Sequence, residues 1–138
     1  MRVLSTSSGA GNVPLAVTYE FYNVLHIVGI ILVFMALGAA LLHAGNGGTR
    51  EQNPSRKLVA GLHGLGLLVI LVAGFGMLAK RQLMVDGLPG WIHPKLLVWL
   101  LLGAAPALIM RKPGSVSVLW VVVPLLGAVA AYFGINHG

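Results

Sequence analysis

Six side chains in the apolar part of this sequence could do chemistry: Glu20, His26, His43, His63, His93 and Lys95. Ionisable groups at membrane depth are costly, so each is a functional-site hypothesis by default. Neutral imidazole is a good ligand for haem iron or copper. A lysine near such a histidine would suit an anionic cofactor such as a porphyrin, whose propionates could meet Lys95. Other chemistries lack their residues. There is no cysteine, which removes disulfides, thiolate metal sites and cysteine nucleophiles. No HExxH, Ser-His-Asp set, glycine-rich phosphate loop or paired intramembrane carboxylate occurs. The five methionines are scattered, which gives copper(I) no soft cluster.

Spacing gives relative depths. His26 follows Glu20 by six residues, hence ~9 Å at 1.5 Å per residue. Lys95 follows Trp91 by four, hence ~6 Å. Glu20, His26, His93 and Lys95 are therefore expected at one end of the protein, and His43 and His63 at the other. Each has a simpler reading. His93 could cap the helix that Pro94 begins, and Trp91 suits an interfacial belt. Lys95 could extend its ammonium to the headgroups. His43 closes its apolar run at the interface. His26 and His63 lie more than a turn inside, where a histidine can link helices by a hydrogen bond. On the functional reading His26 is the axial ligand, His63 or His93 the second, and Lys95 the counter-ion. The metal-ligand candidates are thus His26, His63 and His93.

The elements that must position these groups are membrane helices. Residues are 57% hydrophobic and 9% charged, against about 25% charged in soluble domains. Four apolar runs, 21–42, 58–78, 92–110 and 116–135, each approach the ~20 residues needed to cross the hydrocarbon core. Helices satisfy their own backbone there, and no run alternates as a barrel strand would. The expected fold is all-α: an integral membrane, up-down-up-down four-helix bundle, with helices at about 19–43, 56–79, 92–110 and 116–135. Residues 19–138 form one domain behind a Ser/Gly/Thr-rich flexible tail, 1–18. The first apolar run begins too late and runs too long for a cleaved signal peptide.

Short connections make successive helices antiparallel neighbours, and Pro113-Gly114 marks the tightest turn. Helix two is rich in small residues, and Ala60 with Gly64 forms a step suited to helix packing, or to room for a flat ligand. Pro106 and Pro124 each remove a helical hydrogen bond. The nine basic residues flank the apolar runs, which indicates a membrane rather than nucleic acid as partner. Arg50, Arg56, Lys57, Arg111 and Lys112 fall on one side, and Arg2, Lys80, Arg81 and Lys95 on the other. That bias puts both termini outside the cytoplasm.

"NVLHIVGII" (23–31) followed by "GWIHPKLLVWLLLG" (90–103) resembles a group of small bacterial membrane families. The HemJ-type protoporphyrinogen oxidases share an LHI-like first helix and a GWLHxKL-like third. The SirB-like four-helix proteins share a WLxxKL third helix and a second-helix histidine, and the CopD-like copper-resistance proteins are more distant. His26 matches both of the first two patterns, Trp91 and Lys95 the third-helix motif, His93 the HemJ form and His63 the SirB form. The resemblance implies a bacterial inner-membrane protein binding haem b or a related porphyrin, with protoporphyrinogen oxidation as one activity. It also leaves a structural or assembly subunit of a larger membrane complex, copper handling, or a homo-oligomer as alternatives.

Overall fold

The computed structural model describes residues 17–136. Among them all regular structure is helical, with α1 at Tyr19–Gly45, α2 at Arg56–Lys80, α3 at Ile92–Arg111 and α4 at Val116–Ile135. A 3-10 turn, Pro113–Ser115, feeds α4. Residues 1–16 of the expected tail lie outside the described residues. All four helices are long and apolar enough to cross a membrane. At 20 residues, α3 and α4 are the shortest, and each rises ~30 Å, the thickness of the hydrocarbon core. None has a polar face. Leu58, Leu65, Leu68, Val72 and Phe75 of α2 and Val118, Trp120, Val121, Leu125 and Val129 of α4 are exposed. An outer surface of this kind is compatible with lipid around the helices.

The helix ends explain the element bounds. At α1 the amides of Gly47 and Gly48 reach back to the carbonyls of Ala44 and His43, each at 3.0 Å. This closure requires one left-handed residue, and Gly47 supplies it at φ +79. It carries α1 to Gly45, two residues past the expected end at 43. α2 closes the same way. Gln82 bonds Ala79 at 3.1 Å and Leu83 bonds Leu78 at 3.0 Å. Here the left-handed residue is Gln82, at φ +54. At the start of α1, Thr18 Oγ1 accepts the amide of Phe21 at 3.2 Å, the usual N-cap bond.

α1 and α2 make the closest helix pair. A side chain added to Gly66 would meet the Gly29 carbonyl at 2.9 Å, and one added to Gly29 the Gly66 carbonyl at 3.0 Å. Tyr22 lies against Gly76, His26 against Gly74 and Val33 against Gly66, so residue numbers fall along α2 as they rise along α1. The expected step at Ala60 and Gly64 takes no part. Both are exposed, and Gly64 has no neighbouring atom within 4 Å of a would-be side chain. The small residues that pack are one face round, where α2 meets α1.

The core gathers at one end. Leu37, Leu41 and Ala44 of α1, Leu102, Ala105 and Ile109 of α3, and Val116, Leu119 and Val123 of α4 form one buried cluster. Phe34 of α1 lies against Gly127 of α4 at its boundary. Beyond that contact, toward the start of α1 and the end of α2, the helices part and leave a cleft.

Candidate functional site

The cleft has a volume of about 570 Å³, within the ~300–1,000 Å³ typical of small-molecule and cofactor sites. All four helices line it. Its depth is apolar: Ile30, Phe34, Ile70, Val98, Leu102 and Gly127. Its polar groups lie toward the ends of the helices that meet there: Tyr19 and Asn23 on α1, Arg81 capping α2, Trp91 and Lys95 on α3, with His26 one level deeper. No aspartate or glutamate is among the lining residues. The wall given by α4 is Gly127, Ala130, Ala131 and Gly134, a face with nothing larger than a methyl group until Ile135 at the end of the helix.

Each of the four histidines among the described residues hydrogen-bonds a backbone carbonyl. A carbonyl only accepts, so the bonded ring nitrogen is the N–H and the other carries the lone pair of the neutral ring. His63 Nε2 donates to Leu102 O at 3.0 Å. Four residues on from Leu102 stands Pro106, inside α3, which has no N–H to give that carbonyl. His63, 8% exposed, supplies the missing donor. At the start of α3 the case is different. His93 Nδ1 donates to Gly90 O at 3.1 Å, a carbonyl that already accepts the His93 amide at 3.2 Å, so this bond closes the turn before Pro94 rather than supplying a missing donor. His43 Nε2 donates to Thr49 O at 2.6 Å and closes the α1–α2 loop.

His26 differs. Its Nδ1 donates to Ile70 O at 2.9 Å, and the residue four on from Ile70 is Gly74, which has an N–H of its own. The bond mends no break in α2; it fixes the ring. Nε2 is left with its lone pair; no buried polar side-chain atom among the described residues lacks a partner, so Nε2 is not sealed in the packing, and His26 lines the cleft. A histidine anchored through Nδ1–H to a carbonyl, with Nε2 free, is the usual arrangement of a metal ligand.

The structure brings His26 and Lys95 into one cleft. His63 and His93 are not among its lining residues, and His93 is exposed. Ile70, the level of His26 on α2, is seven residues from His63, ~10 Å along the helix. Two imidazoles on one metal, each ~2 Å from it, need their nitrogens ~4 Å apart. His63 therefore stands too far along the bundle to share a metal with His26, and its Nε2 is engaged. Among the described residues no three metal-ligating side chains cluster. Glu20 is exposed and outside the cleft lining. Lys95 instead lies with its Nζ 5.7 Å from the centre of the Trp91 ring. A side chain at Gly134 would come within 3.2 Å of Nζ, so Gly134 leaves the ammonium its room.

Three contributors were not anticipated. Trp99 donates from Nε1 to Leu67 O at 2.9 Å and, with His63, ties α2 to α3 in both directions. Gly134 shows in the sequence only as the last member of the 127, 130, 131, 134 spacing. Arg81 entered only as a topology charge, yet it lines the cleft.

No protein-family model, curated protein or solved structure matches this chain.

Proposed function

We propose that the four helices cross a bacterial inner membrane as an up-down-up-down bundle and that the cleft holds haem b or a related porphyrin in a redox-linked role. The observation that carries this reading is His26. It is the intramembrane histidine whose hydrogen bond repairs no helix, and its lone pair opens on a cleft with cations and no acidic side chain in its lining. The residues fit the group. His26 Nε2 would hold the iron, since His63 is committed to the Leu102 carbonyl that Pro106 leaves unpaired and neither His63 nor His93 lines the cleft. The apolar depth and the smooth α4 wall suit a flat ring. Lys95 would meet a propionate in a region of low dielectric, where an ion pair is strong and a lone charge is costly. Haem, when bound, supplies electron transfer at its iron. The chain orients the ring through His26, excludes water with the walls, and holds the carboxylates at the mouth.

The test is the absorption spectrum and pyridine haemochromogen content of protein purified from a haem-producing bacterium. The reading expects about one haem per chain and its loss in His26→Ala. Chain that is folded, free of haem and unable to take up added haemin would favour the structural-subunit alternative. Consumption of protoporphyrinogen by the haem-loaded protein would add the oxidase activity that the HemJ resemblance implies.

A further inference from the structure

Arg81 is the C-cap of α2, and its guanidinium carbon lies 4.1 Å from the centre of the Tyr19 ring at the start of α1. Both residues line the cleft, as does Lys95 from α3. Stacking on an aromatic face holds a guanidinium in place while leaving its N–H edge free to donate. The turn that presents Arg81 carries backbone strain. Its next residue, Gln82, stands in the left-handed region at φ +54, where side chains larger than glycine's are disfavoured. The same closure at the end of α1 uses glycine. Strained backbone is retained where the surroundings over-determine it, often at ligand clamps. Two cations from different helices thus share one cleft that has no acidic lining residue.

We infer that Arg81, seated on Tyr19, is a second anion-binding group of this cleft, and that with Lys95 it selects an amphiphile bearing two carboxylates. This rests on the porphyrin reading of the site. It goes further in requiring both acid groups and in naming the residue that receives the second one. A guanidinium can grip a carboxylate through two parallel N–H bonds, which an ammonium cannot. Arg81 is therefore a selectivity determinant, distinct from the iron ligand.

The test compares protoporphyrin IX with its dimethyl ester, which has the same ring and no charge, by fluorescence titration in neutral detergent. The wild type should bind the free acid at least about tenfold more tightly, the worth of one charge-assisted bond. Arg81→Gln should lose about tenfold for the free acid and nothing for the ester. Retained ester binding shows that the variant is folded. Arg81→Lys should recover only part of the loss, because the two-bond grip is gone. Equal binding of acid and ester by the wild type, with Arg81→Gln silent, overturns the inference while the porphyrin reading survives. Binding of neither porphyrin overturns both. Displacement of the free acid by phosphatidylglycerol vesicles, and not by phosphatidylcholine, would assign the cations to a lipid headgroup and also overturn the inference.

Discussion

At the scale of single residues, His63 and His26 divide by what lies four positions beyond the carbonyl each one bonds. Leu102 faces Pro106, while Ile70 faces Gly74. This makes the role of His63 testable by a double-mutant cycle. His63→Ala leaves Leu102 O without a donor and should cost about 1–3 kcal/mol. In a Pro106→Ala background the helix recovers its own N–H, so the same substitution should cost clearly less, a coupling of about 1 kcal/mol. Equal costs in the two backgrounds, by thermal unfolding in detergent, would refute the repair role. At Lys95, the Met substitution keeps the apolar stem and deletes the charge. It should leave the apo-protein folded and lower porphyrin affinity about tenfold. Gly134→Val should act in the same direction by crowding the ammonium. If Lys95→Met changes neither affinity nor melting temperature, the lysine is only reaching for headgroups. Much at this scale was legible: the histidines and Lys95 stand out because they interrupt apolar runs. What stayed hidden was pairing. The sequence shows His63 and Pro106 separately, and only the packing of α2 on α3 brings the ring to the carbonyl the proline strands.

At the scale of elements, the helices are legible from length and hydropathy, because twenty apolar residues in lipid have little choice but to form a helix. Their faces are not. With no polar side to a helix, periodicity cannot say which glycines pack, so Ala60–Gly64 looked as good as Gly66. The contrast is measurable. Gly66→Ala puts a methyl 2.8 Å from Val33 and 2.9 Å from the Gly29 carbonyl, and should destabilise by about 1–3 kcal/mol, the usual cost of overpacking. Gly64→Ala meets nothing within 4 Å and should be neutral or slightly stabilising, since alanine is the better helix former. The reverse order of melting temperatures would mean that α1 and α2 pack on another face. Gln82→Gly should relieve the left-handed strain by about 1 kcal/mol, and if that turn also clamps Arg81, porphyrin affinity should fall as stability rises.

At the scale of the whole molecule, a core packed at one end and a cleft open at the other follow from side-chain size. Leucine and isoleucine fill the space around Ala105 and Val123, whereas Gly127, Ala130, Ala131 and Gly134 leave it empty. The sequence showed small residues without showing that those of α4 face the other helices, so the cleft was not legible in advance. Cysteines at Gly48 and Gly114 should label from one face of the membrane and a cysteine at Asp86 from the other; all three labelling alike would refute the four crossings. The central claim is that His26 Nε2 ligates haem in the cleft. The most direct measurement is a haemin titration of His26→Gly, followed by absorption spectroscopy with and without added imidazole. Removing the ring opens a hole beside the iron that free imidazole can fill. The account predicts loss of the wild-type Soret band in His26→Gly and its return on adding imidazole. A His26→Gly protein that binds haem at full stoichiometry with the wild-type spectrum, and without imidazole, would contradict it.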